Sequence, residues 1–243
     1  MDLLSGQSLY IFSLLCYTVF IYKKRNLFFQ APFVHNLYYI KKLQTIGLAN
    51  IHRKECDPMP LSKEKIYRLD DIYSLPEGQR AELIDGQIYY MAPPGTAHQR
   101  ISTFLHGTIF NYINSKNGSC EVFHAPFAVF LQAEDKTNDL NYLEPDLLVI
   151  CDKNKLDGKG CHGAPDWTLE IVSPSSRQTD YYKKLSLYQS SGVREYWIID
   201  PAKEVVIVYD LANQAPPVIY RFNDSVKSGI FEDLTIDFSQ LKL

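Results

Sequence analysis

The sequence predicts a mixed α/β fold: a hairpin, a helix, three consecutive strands, a second helix and a strand, followed by further antiparallel strands. Three observations carry this prediction. Asp85-Gly86 lies between two apolar runs in RAELIDGQIYYMAPP. Apolar residues recur at helical spacing from Ala97 to Asn117. Three strand-like runs, CEVFHAPFAVFLQ, EPDLLVICD and DWTLEIVSP, then come before the next helical stretch. Helices separated by several strands argue against a regular doubly wound sheet, in which the two alternate throughout.

Taken in order, Asp-Gly between apolar runs is a strong short-range signal for a two-residue type I′ turn, and it sets Glu82 opposite Tyr89. Ile101, Phe104, Leu105, Thr108, Ile109, Tyr112 and Ile113 then form one face of a long amphipathic helix that Asn117-Gly118 ends. The three strand-like runs are separated by the polar loops AEDKTNDLNY and KNKLDGKGCHGA and read as neighbours in one sheet. A second helix, roughly Thr179 to Ser190, stops at Gly192. REYWIID, EVVIVYD and PVIYRFN read as the remaining strands.

The chain of 243 residues is long enough for one large domain, or for one ordinary domain with an appendage. Residues 59–243 read as the domain and residues 1–58 as an extension without a period of its own. Leu3 to Tyr22 is an uncharged, mostly apolar stretch followed by Lys23, Lys24 and Arg25. It is long enough to span a bilayer, and its flank would leave the domain in the cytoplasm. Ser5, Gly6, Gln7, Ser8 and Ser13 weaken it, so the preferred reading treats residues 1–58 as dispensable, with Met59 as an alternative start and a cytoplasmic protein. The five cysteines are odd in number and contain no C-x-x-C pair, which predicts neither a disulfide framework nor a zinc cage. The net charge of −3 provides no global basic footprint for nucleic acid. A divalent ion held by carboxylates can nevertheless supply the local positive charge that meets a phosphate.

Two acids stand out against apolar strands: Asp146 after Pro145, and Glu170 within WTLEIV. A lone buried charge is expensive, and carboxylates delivered by adjacent strands suit Mg²⁺. On spacing alone, strand-end surface charges or arginine-paired acids account for them equally well. Asp180, Lys184 and Tyr188 share a helix face at four-residue steps. Lys184 could orient a water and offset transition-state charge, although a plain Asp180–Lys184 ion pair is the simpler account. Lys183 is expected to face solvent.

ELIDGQIYYMAPP with His98, EPDLLVICD, GAPDWTLEIVSPSS, the D-x-x-x-K-x-x-x-Y helix and GVREYWIIDP together resemble the Uma-type restriction endonuclease family, a group placed in the PD-(D/E)XK nuclease superfamily. The likeness runs in order from about residue 60 to residue 212. It implies a restriction-endonuclease-like core of helix, three strands, helix and strand. It also implies catalytic roles for Asp146, Glu170, Lys184 and Glu82, with Mg²⁺ or Mn²⁺ held by Asp146, Glu170 and the Ile171 carbonyl. One position departs from the superfamily pattern: Val172 stands where the motif has its lysine, and Lys184 from the following helix takes that role.

The expected activity is therefore metal-dependent hydrolysis of a nucleic-acid phosphodiester, DNA first, with a homodimer compatible. The rivals are an inactive nuclease-fold binding module and a metal-free carboxylate-pair glycosidase. Among weaker signals, His98 could touch substrate but is more simply a helix cap. Arg177 and the serines Ser173, Ser175 and Ser176 could meet a phosphate at the second helix, where Asp180 is a further substrate-side residue. Gly158 to Gly163 matches G-x-G-x-x-G but precedes a strand, which excludes a dinucleotide loop. Most of Tyr181, Tyr182, Tyr188, Tyr196 and Trp197 read as core.

Overall fold

The computed structural model describes residues 65–131 and 140–243. The extension 1–58, its apolar stretch 3–22 and Met59 lie outside these residues. Among the described residues no helix is long and apolar enough to cross a membrane.

A short helix α1 (Leu69–Tyr73) leads into the hairpin of β1 (Ala81–Ile84) and β2 (Gln87–Tyr90). Asp85 and Gly86 take φ values of 50° and 73°, as a type I′ turn requires, and Glu82 pairs with Tyr89 as expected. Helix α2 (Thr96–Ser115) buries Ile101, Leu105, Ile109 and Ile113, the stripe read from the sequence. Asn117, at φ 51°, closes it, with the Gly118 N–H on the Ile113 carbonyl at 2.9 Å, an arrangement that satisfies a helix-end acceptor.

The expected single sheet is in fact two, with a small third. The strands β3 (Glu121–His124), β6 (Leu147–Ile150), β8 (Trp167–Ile171), β9 (Glu195–Asp200), β10 (Val205–Asp210) and β11 (Val218–Arg221) form a six-stranded sheet in the order β11-β10-β9-β8-β6-β3. The strands β4 (Ala128–Phe130), β5 (Tyr142–Leu143) and β7 (Gly160–His162) join the hairpin as β2-β1-β5-β4-β7. The remaining pair is β12 (Ser225–Lys227) with β13 (Thr235–Asp237). The run CEVFHAPFAVFLQ crosses between sheets at Ala125-Pro126, and the facing chain crosses back at Glu144-Pro145. Proline has no N–H for a ladder, so one long antiparallel ribbon bends where its two prolines fall. The stretch GKGCHGA, read as loop, supplies β7, which runs parallel to β4.

Alternation along the strands gives the six-stranded sheet two different faces. Leu147, Leu169, Ile171, Trp197 and Ile199 pack with the α2 stripe. Leu148, Ile150, Tyr196 and Ile198 pack on the other side with Tyr188, Leu187 and Ile84. On that second side β8 and β9 run parallel, which demands a crossover. The chain supplies it as a π-helical segment (Thr179–Lys184) continuing into helix α3 (Leu185–Ser191). Gly192, at φ 89°, ends it, where a residue with a Cβ would be strained.

One reading of the cysteines is corrected. Cys120 and Cys151 form a disulfide, because one more step of the β3–β6 register, in which Glu121 faces Ile150, sets them opposite each other. Strand register, not spacing in the sequence, brings them together. Cys161 is free and buried.

Candidate active site

Strand β8 carries Glu170 at its end, 3 % exposed, and the crossover returns over that end. The helical segment thereby drops Lys184 onto the acid: Nζ lies 2.9 Å from Glu170 Oε1, 2.8 Å from Glu82 Oε2 and 3.5 Å from Asp180 Oδ1. Lys184 is 4 % exposed. Its partners come from three elements, so its ammonium pins the hairpin, β8 and the helix together. The Tyr188 hydroxyl donates to the same Glu170 Oε1 at 2.8 Å, and Tyr196 donates to the Asp180 carbonyl at 3.0 Å. Glu82 is held in turn by the Glu144 N–H, 3.0 Å from Oε1. Glu144 itself takes Arg80 Nε at 2.8 Å and the Tyr142 hydroxyl at 2.7 Å.

Asp146 immediately precedes β6, and the pairing of Leu147 with Leu169 extends to place it beside Glu170. Its Oδ2 accepts the Ile171 N–H at 2.7 Å. His98 Nε2 stands 3.0 Å from its Oδ1. The expectation that His98 caps α2 is therefore corrected: Gly95 is the cap residue, and the His98 side chain turns to Asp146. The two side chains are 18 % and 14 % exposed, against 4 % for Lys184, so solvent enters the group from their side.

The electrostatics are lopsided. Glu82, Glu170 and Asp180 surround one ammonium, and Asp146 adds a fourth acid beside Glu170. Burial pushes the Glu170 carboxyl well above the usual carboxylate range; Lys184 pulls it back, and Asp180, Asp146 and Glu82 push it up again. Burial likewise raises Asp180 to about 6 against the pull of Lys184. For Lys184 burial opposes the charged form, but the carboxylates of Glu170, Glu82 and Asp180 outweigh it and hold the ammonium protonated.

This imbalance is the test of whether a cation fits. An acid excess in a buried place lacks positive charge; His98 Nδ1 is buried there without a hydrogen-bond partner among the described residues, and Asp180 Oδ1 has only its 3.5 Å ion contact with Lys184. No group of three or more His, Cys, Asp or Glu side chains stands at metal-ligand spacing among those residues. A magnesium site does not need one, because Mg²⁺ is commonly held by one or two carboxylates and completed by waters and substrate phosphates. The donor set fits such an ion.

The family model of Uma2, described as "Putative restriction endonuclease", matches residues 64–239. The chain belongs to this family. A crystal structure from Anabaena variabilis, described as "a putative nuclease belonging to DUF820", superposes on this Uma2 chain with a TM-score of 0.58 at 24 % identity, covering 72 % of this chain and 96 % of that one. It shares the fold. An uncharacterised protein of Synechocystis sp. is 26 % identical over 129 residues, which is 53 % of this chain; the match spans 64 % of that relative's length.

Of the residues singled out in the sequence, the structure gathers Glu82, Glu170, Asp180 and Lys184 around one ammonium, with Asp146 and His98 adjoining. Arg177 is drawn elsewhere, to Asp200 Oδ1 at 3.5 Å, where the Tyr181 hydroxyl also donates at 2.9 Å. The serines bond among themselves at the turn, Ser173 N–H to Ser176 Oγ at 3.0 Å. Tyr188 was read as packing, yet it touches Glu170; its place in the D-x-x-x-K-x-x-x-Y repeat was the available signal. Glu144 went unremarked, although an acid two positions before Asp146 in an otherwise apolar run was visible. Tyr182, at 72 % exposed, is not core.

Proposed function

We propose that this Uma2 protein is a metal-dependent endonuclease that hydrolyses DNA phosphodiester bonds, with Asp146, Glu170, Lys184 and Glu82 as its catalytic group. The observation that carries the reading is the placement of Lys184. Val172 removes the lysine from the strand, and the helix supplies an ammonium 2.9 Å from Glu170. Asp146 and Glu170 would hold Mg²⁺ or Mn²⁺, with the Ile171 carbonyl as a further ligand. The bound ion would supply Lewis-acid charge at the phosphate.

The chain's own residues do the rest. Tyr188 and Lys184 fix one Glu170 oxygen, leaving the other to face the site. The Ile171 N–H fixes one Asp146 oxygen, and His98 orients the other. Lys184, kept protonated by three acids, would offset negative charge developing at the phosphorus, an effect strongest where bulk water is excluded. The N–H not taken by Glu170 or Glu82, which meets Asp180 only at 3.5 Å, would be the one to orient the attacking water. Glu82 keeps that ammonium aimed at Glu170.

A second reading has its own observation. Lys184 is already matched by carboxylates, so the group could be a buried ion cluster that holds a binding module together without turnover. Plasmid and single-stranded DNA incubated with the full chain, with Mg²⁺ or Mn²⁺ and then with EDTA, separate the two. Cleavage that EDTA abolishes and that Asp146→Ala and Glu170→Ala lack is the expected result. Undiminished cleavage by Asp146→Ala overturns the site, and absence of both cleavage and metal binding overturns the enzyme in favour of the binding module.

A further inference from the structure

The exposed residue next to the buried lysine has an unusual partner. Lys183 does not face solvent alone: its ammonium sits over the Tyr89 ring, 4.7 Å from the centroid, and hydrogen-bonds the Tyr89 hydroxyl. No carboxylate among the described residues pairs with it. Tyr89 is the cross-strand partner of Glu82, and Glu82 grips Lys184 at 2.8 Å. Two bridges therefore run side by side from the hairpin to the helix. The inner bridge, Glu82–Lys184, is buried and charge-matched. The outer bridge, Tyr89–Lys183, lies at the surface and keeps an unneutralised positive charge. Next to it in the chain is an outward tyrosine, Tyr182, at 72 % exposed.

From this we infer that Lys183, held in place by Tyr89, binds the phosphate backbone of the nucleic-acid strand entering the site, with Tyr182 offering a face on which an unpaired base stacks. The inference rests on the nuclease reading and deepens it by naming where the strand lies. Charge is the argument. The chain is acidic overall, at −3, and the catalytic group is rich in acids, so a polyanion needs a local cation at the rim to approach. A lysine whose contact is a neutral phenol brings a net positive charge to the surface, whereas one paired with a carboxylate is offset by its partner. An exposed tyrosine next to such a cation is the combination that binds single strands, a positive charge with an aromatic platform.

The test is the affinity of the full chain for labelled single- and double-stranded oligonucleotides in Ca²⁺, measured by fluorescence anisotropy over a range of salt, for wild type, Lys183→Gln, Lys183→Arg and Tyr89→Phe. Lys183→Gln is expected to weaken binding about tenfold and to lower the slope of log affinity against log salt by about one, the signature of one lost phosphate contact. Lys183→Arg should restore the slope, which a packing role would not do. Tyr89→Phe should weaken binding about threefold and leave the slope in place, since it removes the brace and not the charge. In cleavage assays Lys183→Gln raises KM and leaves kcat unchanged. A wild type that binds and cleaves DNA beside a Lys183→Gln protein of equal affinity and equal salt slope overturns this inference alone. A wild type that neither binds nor cleaves overturns the nuclease reading and this inference with it.

Discussion

Two buried glutamates on adjacent parallel strands have opposite surroundings. Glu195 opens β9 and is 2 % exposed; Glu170 is the penultimate residue of β8 and is 3 % exposed. Glu195 is met by neutral donors, the Trp197 indole N–H on one oxygen and the Gly229 N–H on the other at 2.7 Å. Glu170 is met by an ammonium and a phenol, with three further acids close by. One is a closed joint that ties the chain before β13 to the sheet. The other belongs to a group with more negative charge than it can balance. Burial alone does not mark a functional carboxylate; the identity of its partners does.

The largest effect expected from breaking this contrast is on cleavage. Glu170→Gln keeps the shape and should lower the rate at least about 10³-fold. Glu195→Gln should leave the rate of the folded protein within about twofold, both read from initial rates on plasmid DNA. If Glu195→Gln silences cleavage as fully, the distinction between joint and site fails.

Next in size is a change on the far side of the same strand. Leu169, next to Glu170, is fully buried in the α2-facing core. Leu169→Ala should cost about 3 kcal/mol in urea unfolding, with the remaining folded fraction cleaving normally.

The pH response should separate the two glutamates within one experiment. A carboxyl with a higher pKa in the folded chain than in the unfolded one stabilises the fold less as pH rises between the two values. Burial raises Glu195 from its ordinary 4.5 to about 7 and Asp180 from 3.8 to about 6. In EDTA, stability should therefore fall as pH rises from about 4 to about 7, read as a drop in Tm. Mg²⁺ should remove the part due to the Glu170–Asp180 group and leave the Glu195 part. Melting curves whose pH dependence ignores Mg²⁺ altogether would place no cation there.

The smallest expected effect is at His98. His98→Ala removes a hydrogen bond to Asp146 but no carboxylate, and it should lower kcat about tenfold with Tm nearly unchanged.

Much of this was legible in the sequence because it depends on local periodicity. The Asp85-Gly86 turn, the α2 stripe and the four-residue steps from Asp180 to Tyr188 each follow from how one element repeats. What was not legible depends on register between elements. The bend at Pro126 and Pro145 is invisible until the two runs are known to face each other. The Cys120–Cys151 bridge needs the same register. His98 looks like a cap until α2 is set against the start of β6, and Lys183 looks solvated until the hairpin is folded over it. Among the acids, spacing left Asp146 and Glu170 undecided, and their convergence required the β6–β8 pairing.

The residues Glu144, Pro145 and Asp146 are the short stretch by which the chain leaves the five-stranded sheet for the six-stranded one. Glu82 belongs to the first sheet, Glu170 to the second. The proposed catalytic group is thus assembled across a seam, and its integrity reports how well two separately hydrogen-bonded sheets are docked. Loosening that docking would leave every strand intact while pulling Glu82 from Lys184. Activity in this protein should therefore fail before secondary structure does, and far-UV circular dichroism would still look native in a sample that had already lost its site.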